Sequence, residues 1–187
     1  MLLRNLLVLS LLTASTTLLA DTVDINLRDS SVQLQYIAPM GRDTLGSTEL
    51  HAGLLYSDNN DRFGDFGILV KGSVGDRSSG VTAGVGLKGL LATVNDNSVA
   101  ALALGGQVRF SLPTVARAGI VGQLYFSPNI VTYRDAERFI EAVARLEYEI
   151  IPQATAYLGY RRISFDFVNK TDAVLDTGFH AGVRMSF

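Results

Sequence analysis

From Asp21 to the last residue, apolar side chains recur at every second position with hardly a pause. The final stretch shows the pattern best. Phe187, Met185, Val183, Ala181 and Phe179 are apolar, while Ser186, Arg184, Gly182 and His180 between them are polar or lack a side chain. Successive side chains of a strand point to opposite faces, so a period of two predicts strands with one apolar and one polar face. The same alternation sets Val23, Ile25 and Leu27 against Asp24, Asn26 and Arg28. It also sets Leu50, Ala52, Leu54 and Tyr56 against Glu49, His51, Gly53 and Leu55, and it returns over 81–91, 100–110, 120–126, 140–150 and 154–160. A helix over 138–148 is the one competing reading, and the alternation together with Pro152 just beyond favours a strand there.

Two properties of the chain say where such strands can live. Its mean hydropathy is +0.25, apolar for a protein that meets only water. Yet nothing beyond the N-terminus approaches the ~20 consecutive apolar residues of a membrane helix. A membrane β-barrel reconciles the two, because its lipid-facing residues are diluted one-in-two by residues facing the lumen. Cysteine is absent, which excludes disulfides, thiolate metal sites and cysteine nucleophiles. The formal charge of −2 gives no basic patch of the kind nucleic acid requires, so no nucleic-acid partner is expected.

Residues 1–20 differ from the rest. Arg4 supplies one positive charge, Leu6 to Leu12 form an apolar run, and small or apolar residues follow up to Ala20. This composition predicts a secretory signal peptide over 1–20 and a barrel over 21–187. Leu18 makes the cleavage site imperfect, and a cut after Ala14 is the alternative.

Turn signals then count the strands. Polar or Pro- and Gly-containing breaks fall at 29–30, 39–47, 57–62, 75–79, 94–97, 112–114, 127–137, 151–153 and 169–176. If Phe187 ends at the periplasmic face, parity gives a closed, antiparallel, up-and-down transmembrane barrel of ten strands, all-β, with both ends in the periplasm. The weak member is 22–28, shorter than the ~9–11 residues of a tilted spanning strand; eight strands is the alternative. Arg161 and Arg162 are adjacent, and Ile163, Phe165 and Phe167 follow as an apolar set. That sequence predicts a β-bulge after Arg162 that returns the apolar residues to the lipid. Arg162 itself falls near the outer interface, where the two arginines read as a plain interfacial pair, with a basic patch contacting lipopolysaccharide phosphates as the alternative.

The inward face carries the candidate site residues. Parity directs Glu49, His51, Lys71, Lys88, Arg109, Glu141, Arg145, Glu147, Arg161 and Arg184 into the lumen, together with Asp24, Arg28, Glu149 and His180. Both signs are present, so in a narrow barrel these groups are expected to pair across the lumen and largely fill it. The function expected is structural, or a narrow pathway for small solutes. An interaction protein acting through the external loops is the alternative. A lipid-modifying barrel enzyme is more remote: His180 is followed by Ala181 and Gly182, and Ser186 lies six residues away, ~20 Å along a strand. No catalytic residue, metal or cofactor is expected, since two histidines without cysteine make a poor metal site.

Several segments carry a family resemblance. Ser31-Val32-Gln33-Leu34-Gln35-Tyr36, Glu49 to Tyr56 and Ala103 to Arg109 contribute, and Asp135 to Phe139, Ala144 to Tyr148 and Tyr157 to Arg162 contribute most. Across the mature chain the sequence resembles the YfaZ-type family of predicted outer-membrane proteins. The resemblance implies export and an outer-membrane barrel, and it supplies no activity. The last strand also resembles the closing strand of bacterial outer-membrane barrels, whose terminal aromatic, here Phe187, is read by the assembly machinery. The partners expected are therefore outer-membrane lipid, lipopolysaccharide and that machinery, with the barrel itself a monomer in the outer membrane of a Gram-negative cell.

Overall fold

The alternating segments form strands β1 (Thr22–Leu27), β2 (Ser31–Arg42), β3 (Ser47–Ser57), β4 (Arg62–Ser73), β5 (Val81–Val94), β6 (Asn97–Ser111) and β7 (Ala118–Ser127). After them come β8 (Thr132–Arg134), β9 (Ala136–Ile151), β10 (Ala154–Phe167) and β11 (Ala173–Ser186). The structure, a computed structural model, describes residues 20–42, 46–58, 60–75, 80–94, 97–134, 136–167 and 173–187. The expected signal peptide therefore lies outside the described residues up to position 19, as do the tips of several expected turns.

Ten of the strands close a ring. Each pairs antiparallel with its neighbours, β5 meets β6, and β1 meets β11 from Thr22↔Ser186 to Leu27↔Ala181. The short β8 stands outside the ring and pairs with β6 through Val99↔Arg134 to Ala101↔Thr132. Closure leaves each ring strand paired on both sides over its register, the condition for a sheet to stand in lipid. The eight-stranded alternative fails because β1, only six residues long, is paired on both edges. The segment 138–148 lies wholly within β9, a strand.

Both described termini sit at one end of the barrel, here the base; the opposite end is the rim. Around the wall the outward residues are apolar and open to their surroundings, Leu54 at 68 % and Phe179 at 82 % among them. A continuous belt of this kind is far larger than the patches a water-soluble monomer exposes. No helix among the described residues is long and apolar enough to cross a membrane, so the crossing is made by strands.

Three local departures from the expected plan have physical causes. Pro39 does not end a strand: β2 continues to Arg42, and a register shift between Pro39 and Gly41 takes up the irregularity. Residues 173–176, expected as loop, belong to β11. Most consequentially, β10 has no bulge after Arg162. Alternation runs on unbroken, with Arg161, Ile163, Phe165 and Phe167 buried and Arg162 outside. The bulge lies across the ladder in β11, where the register skips Leu175 between Ile163↔Asp176 and Ser164↔Val174. Leu175 and Asp176 therefore both point inward and are buried.

The expectation for 163–167 is thus reversed. Above the lipid belt the surroundings of the wall become water, and the barrel interior becomes the driest place available. Apolar residues turn in for the reason they turn out lower down. Phe63, Phe139, Ile163, Phe165, Phe167, Leu175 and their neighbours form a buried cluster at the rim. Ring centroids lie 6.1 Å apart for Phe63–Phe139 and 5.2 Å for Phe139–Phe165, within the range of favourable aromatic packing. The lumen is charged toward the base and middle and apolar at the rim.

Candidate functional site

The lumen gathers the charged residues into linked groups, because each occupies an inward position on its strand. Nearest the base, Glu49 on β3 meets Lys71 on β4 at 2.5 Å and His51 at 3.4 Å. Across from them Asp24 and Glu147 share three arginines. Arg184 reaches Asp24 at 3.0 Å and Glu147 at 3.3 Å. Arg145 reaches Glu147 at 3.1 Å and lies over the Tyr157 ring at 5.1 Å. Arg109 touches Glu147 at 3.4 Å. The Tyr157 hydroxyl donates to Asp24 and accepts from Asn26 Nδ2.

Further up, Lys88 on β5 donates to Glu141 on β9 at 2.7 Å, with Asp65 at 3.8 Å and the Tyr125 ring at 4.4 Å beneath the ammonium. Gln123 completes Glu141 at 3.2 Å. On the β10–β11 side Asp176 accepts from Arg28 at 2.6 Å, Arg161 at 2.6 Å and Ser31 at 3.0 Å, and Arg161 also donates to Gln33. The β11 bulge makes this last group, since it aims Asp176 at Arg28 and Arg161.

Glycines let these side chains fill the space. A Cβ on Gly182 would lie 2.3 Å from the Tyr157 ring and hydroxyl. Gly178, at φ +145°, lies beneath the Arg28 guanidinium, and a side chain there would meet it at 2.9 Å.

Exposure falls from base to middle. Arg109 keeps 43 % of its side chain exposed, Lys71 26 % and Arg184 23 %, whereas Lys88 keeps 5 % and Asp176 1 %. The lumen is a vestibule open at the base that narrows to an ion-paired waist. A cavity of about 10 Å³ beside Lys88, His51 and Gln107 is the space of a single water. Beyond the waist, Phe139, Ile163 and Phe165 are 0 % exposed and close the passage among the described residues.

All ten sequence-identified candidates, Glu49, His51, Lys71, Lys88, Arg109, Glu141, Arg145, Glu147, Arg161 and Arg184, face this lumen. Asp65, Asp176, Tyr125 and Tyr157 belong beside them. Asp65 shares the inward parity of Gly67 and was legible; Asp176 was read as part of the 169–176 loop, whereas it belongs to β11. Asp65 and both ring nitrogens of His180 lack a hydrogen-bond partner among the described residues. Ser186 Oγ is bound to Thr22 Oγ1 at 2.8 Å rather than to a histidine. No three His, Asp or Glu side chains converge as a metal site among the described residues.

A ten-stranded barrel with an outward apolar belt and an ion-paired lumen is the architecture, and a family model settles whose it is. The model of the YfaZ precursor matches residues 3–187. The chain belongs to the YfaZ family. No curated protein matches it in sequence. Among solved structures this YfaZ-family barrel is similar in fold to the KdgM porin in complex with disordered oligogalacturonate, with a TM-score of 0.52 at 11 % identity over 90 % of this chain and 99 % of that one. It is likewise similar to the NanC porin, with a TM-score of 0.52 at 13 % identity over 90 % and 100 % of the two chains. The YfaZ-family chain shares the closed-barrel fold of these two porins.

Proposed function

We propose that the protein is a narrow pathway for small solutes that is shut in this conformation. The observation that carries the reading is the graded lumen: a charge-lined vestibule, an ion-paired waist, and, among the described residues, a rim filled by buried aromatic and aliphatic side chains. Phe63, Phe139 and Phe165 are the closing layer, and solute passes only when that layer moves. The charged groups beneath it hold the lumen in register and set the local field that a passing ion meets. The termini face the periplasm in this reading, so the vestibule opens inward and the aromatic layer faces the cell exterior.

Planar-bilayer conductance of the refolded barrel tests this. Wild type is expected to be silent or to open rarely, and Phe139→Ala/Phe165→Ala to show discrete openings whose size changes further with Arg145→Ala. Folding is checked first by heat-modifiable gel mobility. A folded double variant that stays silent overturns the pathway and leaves a filled, structural barrel.

A further inference from the structure

The ion pairs of the vestibule do not use all the donors that its arginines bring. Arg109, Arg145 and Arg184 meet only two carboxylates, those of Asp24 and Glu147. Glu147 Oε1 is taken by Arg145 and Arg184, and its Oε2 by Arg109. Asp24 Oδ1 accepts from the Tyr157 hydroxyl, and Oδ2 from two nitrogens of Arg184. All four carboxylate oxygens are engaged, whereas each guanidinium carries five N–H donors in a fixed plane. The surplus falls on Arg109. Its Nε is buried and lies 3.4 Å from Glu147 without hydrogen-bond geometry. Its two terminal nitrogens make no hydrogen bond among the described residues. Lys71 and Arg184, the other half-open lumenal cations, are held at 2.5 Å by Glu49 and at 3.0 Å by Asp24.

The place of Arg109 is a recess in the lumen. It stands at an inward position of β6, and its guanidinium lies against bare backbone of the next strand. A Cβ added to Gly119 on β7 would meet Nε at 3.3 Å and Nη2 at 3.5 Å. On its other side Thr82 pairs with it across the β5–β6 ladder. Gln107 is the next inward residue up β6. Neither the Thr82 hydroxyl nor the Gln107 amide is hydrogen-bonded among the described residues. An uncommitted guanidinium edge is thus flanked by a free hydroxyl and a free amide. Glu149, the next inward residue toward the base on β9, is half-buried and has no ion-pair partner among the described residues.

We propose that Arg109 anchors a binding site for small hydroxylated monocarboxylates in the base vestibule, with Thr82 and Gln107 meeting the hydroxyls. The terminal nitrogens of a guanidinium present two parallel N–H groups, which match the two oxygens of a carboxylate. One free edge takes one such group, and the Glu149 carboxylate at the mouth opposes a second negative charge on the ligand. That the ligand is a passing solute rests on the pathway reading above. The site itself is read by equilibrium binding with the aromatic layer shut, so a silent barrel and an empty site are separate results.

Saturation-transfer NMR from the refolded mature barrel in detergent micelles to the methyl protons of lactate, at constant ionic strength, tests the site. Each variant is first checked for folding by heat-modifiable gel mobility. Wild type is expected to bind lactate saturably, and Arg109→Gln to bind it about tenfold more weakly, the scale of a hydrogen bond to a charged group. Arg109→Lys keeps the charge without the two-pronged edge and should bind nearly as weakly as Arg109→Gln. Glu149→Gln should bind more tightly than wild type, a gain that damaged folding cannot produce. Arg138→Gln, at the far end of the barrel, should match wild type. The absence of saturable binding, or equal affinity in wild type and Arg109→Gln, overturns the proposal. Full affinity in Arg109→Lys overturns the two-pronged contact. Inorganic phosphate displacing lactate at lower concentration than acetate does overturns the assignment to monocarboxylates.

Discussion

Lys88→Met tests whether the waist is held by charge. The Lys88 side chain is 5 % exposed, Glu141 4 % and Asp65 0 %, with the ammonium 2.7 Å from Glu141 and 3.8 Å from Asp65. Methionine matches the stem of lysine closely, so packing changes little. What changes is charge: two carboxylates remain buried with no cation between them. Removing one partner of a buried pair costs about 3–5 kcal/mol, because the other is left without compensation. With a urea slope of about 2 kcal/mol per molar, the unfolding midpoint should fall by ~1.5–2.5 M. Reversible unfolding of the refolded barrel in lipid vesicles, followed by tyrosine fluorescence and gel mobility, reads that shift. The triple variant Lys88→Met/Glu141→Gln/Asp65→Asn removes all three charges and should recover most of the loss, since replacing a whole buried ion group is often neutral. As a contrast, Arg138→Met breaks a pair whose partners are 55 % and 31 % exposed, and its effect should stay within ~1 kcal/mol. A Lys88→Met midpoint within 0.3 M of wild type, on the scale of slope given above, would refute the view that the waist is electrostatically braced. A triple variant worse than the single one would refute the compensation argument.

Other outcomes follow from single contacts. Gly182→Ala puts a Cβ where the Tyr157 ring already lies at 2.3 Å, so it should destabilise the barrel by ~1–3 kcal/mol, and Tyr157→Phe should not rescue it because the ring remains. Asp176→Asn leaves Arg28 and Arg161 sharing a neutral acceptor and should lower stability by several kcal/mol, on the scale of a broken buried pair, with the loss read as a lower urea midpoint. Because the chain has no cysteine, Asp29→Cys is a single-label reporter at a side chain 82 % exposed near the β1–β2 turn; a membrane-impermeant maleimide should label it on intact cells, and labelling only after cell breakage would reverse the proposed orientation. Phe187→Ser should lower the amount of assembled barrel in the membrane without lowering the urea midpoint of what does assemble, if the terminal aromatic acts through the assembly machinery.

Much of this architecture was legible because one rule, alternate burial, governs it from β1 to β11. Even the short β1 could be placed, since Val23, Ile25 and Leu27 keep the rhythm although the segment is too short to span alone. The inward charges were legible for the same reason: lipid will not accept Glu147 or Arg184, so their parity assigns the phase of β9 and β11. The rule failed where its premise changed. At Ile163, Phe165 and Phe167 the reading assumed that apolar means lipid-facing, whereas these residues stand above the lipid and the dry side is the inside. Asp176 was missed because 169–176 read as a loop and so carried no parity at all, whereas β11 begins at Ala173 and a bulge there turns Asp176 inward beside Leu175. The pairings themselves, such as Lys88 with Glu141 across 53 positions, depend on strand stagger, which alternation alone leaves open.

The inversion of polarity along β10 also fixes how deep the barrel sits. Its outward residues run Leu158, Tyr160, Arg162, Ser164, Asp166, so sinking by two residues, ~6–7 Å along the strand, would draw Arg162 toward the acyl region. Rising by the same amount would lift Leu158 and Phe179 into water while the apolar layer inside gained nothing. A uniformly apolar wall could bob within the bilayer at little cost, and would adapt to a thicker or thinner membrane by sliding. This one carries its own waterline, and a change in bilayer thickness must be met by the lipid around it.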